Sequence, residues 1–138
     1  MCCNFVLEKR IMTLEEWEIE QEDEDFMFRL GNLSKRRTGL PVVVWIEANM
    51  GMKHVSPRML FSNATSSCLR PCDSAGSLIP ISLDPENPKL LLDDAVINIS
   101  TLELEAIKRC IVKNYRPLMR HWNMEIDTYE AMRGLQRL

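Results

Sequence analysis

Histidine is scarce in this 138-residue chain, with only two, His54 and His121. Glycine is also sparse, and its five residues form neither a phosphate-cradling loop nor a dinucleotide-binding turn. No apolar run reaches the roughly 18 residues that a membrane-spanning helix requires. The first ten residues, MCCNFVLEKR, lack the basic lead and long apolar stretch of a secretory signal. Five cysteines, an odd number, do not suggest a disulfide framework. A reducing, cytoplasmic setting is expected, with no membrane partner.

The chemistry of enzymes is equally thin. Nucleophilic catalysis needs a nucleophile, a base and a group that orients the base. On a single helix, Cys110 and His121 would lie about three turns apart, too far for a pair. Cys68 and Cys72 have a spacing that could open a zinc site, but no second Cys/His pair completes it. Asp84, Glu86, Asp93 and Asp94 lack the spacing and glycine of a calcium loop. The expectation is therefore no enzyme, catalytic residue, metal, cofactor or small-molecule substrate.

What is present is a polarised charge. Eight of the eleven residues from Glu15 to Asp25 are acidic and none is basic. The other twelve carboxylates share the rest of the chain with all seventeen Lys and Arg, an excess of five positive charges. The overall charge of −3 hides this division. A dense acidic segment can engage basic protein surfaces, including those that handle nucleic acid. Glu15, Glu16, Glu18, Glu20, Glu22, Asp23, Glu24 and Asp25 are the expected partner-binding residues. The plainer alternative is a solvated face. Basic residues form a second set: Lys35, Arg36 and Arg37, then Lys108, Arg109 and Lys113 on a late helix, continuing to Arg116 and Arg120. These would serve direct RNA or DNA binding. Aromatics do not interleave with them, which argues against a base-stacking platform.

Local signals organise the chain. Thr13-Leu14-Glu15-Glu16 has the capping-box pattern, predicting a helix from Leu14 to about Leu30 with Gly31 as its stop. Its like-charge pairs four apart, such as Glu16/Glu20, disfavour it as an isolated helix. Asn32 to Gly39 reads as a basic linker. The run from Pro41 to Ile46 predicts a strand buried on both faces. His54 to Phe61 and Leu78 to Leu83 predict two more strands, each with a proline that suits an edge or bulge. Leu90 to Leu92 could pair briefly, and Ala95 to Ile99 predicts a last strand. Ser100 with Glu103, and Asp127 with Glu130, are two further capping boxes. Leu104, Ile107, Ile111, Leu118, Trp122 and Ile126 recur at helical spacing, with a break expected near Pro117. Strands follow strands rather than alternating with helices. The expected fold is α+β: an acidic N-terminal helix, a small antiparallel sheet of about four strands, and C-terminal amphipathic helices packed on it. The division is a helical arm and linker over 1–37 and one α+β domain over 38–138.

Several segments together resemble a known pattern. They are Thr38-Gly39-Leu40-Pro41, His54 to Phe61, Ile79-Pro80-Ile81-Ser82 with Asn87-Pro88 downstream, and Leu102 to Trp122. This pattern is similar to that of small uncharacterised proteins of Bacteroidetes and their mobile elements, over roughly 38–127. The resemblance implies no activity, but it implies a mobile-element origin. Combined with the charge pattern, it leads to an expected inhibitor or regulator, anti-CRISPR-like or antitoxin-like, whose partner is a basic nucleic-acid-processing effector or its ribonucleoprotein. Direct nucleic-acid binding is the alternative reading, and a small ribonuclease-type toxin the third.

Overall fold

Among the described residues, four short strands stand side by side in chain order. The structure is a computed structural model and describes residues 11–21, 30–49, 55–63 and 78–138. The strands are β1 (Leu30–Leu33), β2 (Val44–Glu47), β3 (Arg58–Ser62) and β4 (Leu78–Ser82), ordered β1-β2-β3-β4. Every neighbouring pair is antiparallel. The helices among the described residues are α1 (Leu14–Gln21), α2 (Lys35–Thr38), α3 (Thr101–Lys113), α4 (Tyr115–Trp122) and α5 (Thr128–Gly134). This is the α+β architecture expected from the sequence.

The register decides which side chain meets which layer. Gly31 lies opposite Ile46, Ile46 opposite Met59, and Met59 opposite Ile81. Because side chains alternate along a strand, this row occupies one face, and Trp45, Glu47, Arg58 and Leu60 occupy the other. A side chain added at Gly31 would meet Thr128 of α5, so the first face is the one under the C-terminal helices. Trp122 of α4 adds a carbonyl that accepts from the Asn49 backbone N–H at 2.8 Å. The opposite face receives α1 through Glu20 and Trp17, which reach Arg58. Helices on both sides explain why all of β2 and β3 is buried.

The C-terminal helices follow local signals closely. Ser100 accepts from the Glu103 N–H at 3.1 Å and its own N–H donates to the Glu103 carboxylate at 2.8 Å. Asp127 and Glu130 form the same reciprocal pair ahead of α5. The helix breaks at Asn114, three residues before Pro117, which then sits in the first turn of α4, where a missing N–H costs nothing. Ile107, Cys110, Ile111, Leu118 and Trp122 are buried as one stripe.

Four expectations need correction. Leu30 and Gly31 do not end a helix; they are the first residues of β1. The expected helix over 22–29 lies outside the described residues. Gly31 is required for a different reason from the one expected: an added Cβ would come within 2.5 Å of the Thr128 methyl. The stretch read as a basic linker ends β1 and then forms α2. There Ser34 caps the Arg37 N–H, and Gly39, at φ 77°, supplies the left-handed stop. Pro57 marks no edge. It immediately precedes β3, which pairs on both sides. Finally, 95–99 is not a ladder strand. The buried Asn63 amide holds it instead, donating to the Val96 carbonyl and accepting from the Asn98 N–H, both at 2.8 Å. Pro80 does suit its place: its carbonyl accepts from Leu91 on the outer side of β4, so the N–H it lacks is not missed by β3.

Two substitutions test this packing. Ile107→Ala is expected to lower stability by ~2–5 kcal/mol in denaturant unfolding, as for a buried isoleucine. Gly31→Ala is expected to cost ~1–3 kcal/mol through overpacking. Adding Thr128→Ser, which removes the offending methyl and keeps the hydroxyl, should recover most of that loss. An additive double mutant would show that Thr128 is not the obstacle.

Candidate functional site

Helix α1 carries the first half of the acidic run, and the fold fixes it at both ends. Its start is capped as expected: the Glu16 N–H donates to the Thr13 hydroxyl at 3.2 Å, and the Thr13 N–H donates to the Glu16 carboxylate at 2.9 Å. The Leu14 N–H, free at a helix start, donates to Asp94 at 2.7 Å. Just before it, Met12 forms a parallel bridge with Leu92, through the Met12 N–H to Leu91 at 2.8 Å and the Asp93 N–H to Met12 at 3.2 Å.

The second anchor is an ion cluster inside the protein. Arg58, 1% exposed, gives its Nε to Glu47 Oε1 at 2.6 Å and Nη2 to Glu47 Oε2 at 2.9 Å. Glu47 and Arg58 extend the β2–β3 register by one pair, so they are cross-strand neighbours. The outer edge of the guanidinium meets Glu20, with Nη1 to Oε2 at 3.2 Å and a second contact from Nη2 to Oε1. The Trp17 ring lies 5.0 Å from the guanidinium carbon, and its indole N–H donates to the Leu78 carbonyl at 2.8 Å. Burial alone would lower the Arg58 pKa. The hydrogen bonds and charges of Glu47, then Glu20, outweigh it and hold the pKa above the ordinary arginine range.

The described half of the acidic run is therefore not a free arm. Trp17 and Glu20 point inward. Glu15 and Glu16 are exposed and Glu18 is half-buried. Ile19 points outward and is 61% exposed. The helix thus turns a half-buried carboxylate inward and displays an isoleucine, because the buried guanidinium needs a carboxylate partner. Glu22, Asp23, Glu24 and Asp25 lie outside the described residues.

The basic set comes together on another part of the surface. Lys35, Arg36 and Arg37 are exposed on α2. The segment after α5 runs back alongside them. The Arg137 Nε donates to the Arg36 carbonyl at 2.8 Å, and the Leu138 N–H donates to Thr38 at 2.9 Å. Asn114 holds this segment with both ends of its amide, accepting from the Gln136 N–H at 2.7 Å and donating to the Gln136 carbonyl at 3.0 Å. Lys113 donates to the Arg137 carbonyl at 3.0 Å. Ser34, Arg36, Arg37, Leu135 and Arg137 line a cleft of about 520 Å³. Lys108, Arg109 and Lys113 line a second of about 490 Å³, beside Leu138, with Glu86 and Glu105 on its wall. Arg116 and Arg120 line neither, and Arg120 lies 3.6 Å from Glu125. Arg137 was absent from the expected set because nothing local marks it. Its place depends on the return of the C-terminal segment.

His54, Cys2, Cys3, Cys68 and Cys72 lie outside the described residues. Cys110 is buried, its thiol pKa raised by desolvation and partly lowered by Asn114 and Lys113. His121 is buried, with Nε2 3.0 Å from the Thr128 hydroxyl. Burial lowers its pKa, which the Glu47 backbone and Asp127 partly offset. Among the described residues, no group of three or more His, Cys, Asp or Glu could hold a metal ion. None of their helices is long and apolar enough to cross a membrane. No family model matches the chain, and neither a curated protein nor a solved structure matches it significantly, so the resemblance read from its short motifs gains no support there.

Two measurements probe these buried groups. Arg58→Met leaves Glu47 and Glu20 without their cation and is expected to cost ~3–5 kcal/mol at neutral pH. Because the folded-state pKa of His121 lies below its unfolded value, its contribution to stability is complete above pH ~6.5 and is lost as pH falls through the depressed value. Urea midpoints should therefore fall more steeply below pH ~6.5 in the wild type than in His121→Gln.

Proposed function

We propose that this chain is a non-enzymatic binding protein that presents the outer face of α1 to a basic, nucleic-acid-handling protein. The observation that carries this reading is the double anchoring of α1. Trp17 and Glu20 hold the helix, so the outward carboxylates Glu15 and Glu18 occupy fixed positions around an exposed Ile19. An apolar residue among charges is the pattern of an interface centre and its rim. A fixed helix loses less conformational freedom on binding than a free arm. The carboxylates from Glu22 to Asp25 extend the same charge along the chain. Negative potential of this density speeds encounter with a cationic surface. An inhibitor or regulator, anti-CRISPR-like or antitoxin-like and acting in the cytoplasm, fits this reading. The mobile-element origin rests on the short-motif resemblance alone.

The test keeps Glu16 and Glu20, which the fold uses, and neutralises Glu15, Glu18, Glu22, Asp23, Glu24 and Asp25 to Gln or Asn. The variant should keep the wild-type unfolding midpoint. It should bind the basic protein captured from the source cell at least ~10-fold more weakly, chiefly through a slower on-rate. Salt should weaken the wild-type complex more than the variant complex. Equal affinity across the salt series would reduce the acidic run to a solvated face.

A further inference from the structure

We propose that the cleft between α2 and the C-terminal segment is a binding site for the phosphodiester backbone of a nucleic-acid duplex. The inference stands apart from the acidic-helix reading, because it rests on different residues. Its floor is the chain crossing described above, where Arg137 lies across the Arg36 carbonyl. Arg36 and Arg37 project from a capped single turn, and among the described residues neither is paired with a carboxylate. Arg137 uses Nε in holding the fold, which leaves its two terminal nitrogens to donate outward. Ser34 accepts the Arg37 N–H, so its hydroxyl proton is also available to an acceptor in the cleft. Three guanidinium forks and a hydroxyl in one concavity are donors suited to phosphate oxygens.

Two features favour a polymer over a single phosphate. The cations do not stop at the cleft. Lys113 donates to the Arg137 carbonyl, and Lys108 and Arg109 continue along α3 into the second cleft. One phosphate uses two or three such groups, whereas six cations line the two clefts: Arg36, Arg37, Arg137, Lys108, Arg109 and Lys113. Glu105, 3.7 Å from Lys108, and Glu86 weaken the far end, so Arg36, Arg37 and Arg137 carry the site. The second feature is that, among the described residues, no aromatic side chain lines either cleft. Single-strand binders rely on aromatic platforms for unstacked bases, while a duplex offers its backbone with the bases stacked inside. The expected recognition is by charge and spacing, without sequence preference.

Fluorescence anisotropy with a mixed-sequence DNA duplex and an RNA duplex of the same length tests this on the full chain. At least one should bind, with affinity falling steeply between about 50 and 200 mM salt. Arg36→Gln with Arg37→Gln, which leaves the Arg137 contact in place, should weaken binding at least ~10-fold and flatten the log–log salt slope by about 2. Adding Arg137→Gln should flatten it by about 1 more, with thermal melts confirming that the variants fold. The acidic-helix variant should bind duplex no more weakly than wild type, which separates this site from the protein-binding face. Salt-insensitive or absent binding of both duplexes overturns the proposal. So does unchanged affinity in the arginine variants, or saturation by a phosphoserine peptide under conditions where neither duplex binds.

Discussion

A guanidinium buried in the middle of a small sheet must be surrounded by acceptors, and most of the architecture on that face can be traced to this requirement. Stripping water from the Arg58 charge is costly by several kcal/mol unless its donors are met. Glu47 meets two of them from the neighbouring strand, and its own burial then depends on Arg58. The other edge of the fork can be reached only from outside the sheet, by Glu20 on α1. Trp17, one turn earlier, closes over the cation and ties its indole to β4. Two carboxylates on one cation leave an excess of negative charge, and Glu20, whose side chain is 23% exposed, is where that excess meets solvent. The orientation of α1, and so the identity of the carboxylates left outside, follows from which one Arg58 takes inward.

Elsewhere the protein relies on side-chain amides where strands might have been expected. Asn63 and Asn114 are both buried, and each offers one donor and one acceptor to a passing backbone. This pairs the backbone of each passing segment without a full ladder. It holds two extended segments, 95–99 and 135–138, against the body of the protein. The second arrangement also assembles the basic cleft, because it brings Arg137 to α2.

What the sequence reveals depends on how far its signals reach. The three capping boxes at Thr13, Ser100 and Asp127 each involve residues three apart, and each forms as read. The helical stripe through Ile107, Ile111, Leu118 and Trp122 is local in the same sense, as is the break before Pro117. The antiparallel sheet is legible from strands that follow strands. By contrast, β1 is hidden because Leu30-Gly31-Asn32-Leu33 has little strand character of its own and gains it by pairing with β2. Arg58 looks like a surface residue until Glu47 and Glu20, 11 and 38 positions away, are placed beside it. The contact between Arg137 and Arg36 spans 101 positions and has no local trace at all.

The attachment of α1 also has a consequence in time. Its contacts join Glu20 to Arg58, Trp17 to Leu78 and Leu14 to Asp94, across 38, 61 and 80 positions. Closing such distances is entropically expensive, and contacts of this range form late and slowly. During synthesis the acidic segment emerges well before the residues that seat it, and its like-charge pairs do not favour a helix on their own. Arg58 and Leu78, which hold Trp17, and Asp94, which holds the Leu14 N–H, all follow α1 in the chain, so α1 cannot be seated until they have been made. The nascent protein therefore shows its surroundings a different acidic surface from the finished one, with residues 14–21 unseated first and a seated helix afterwards.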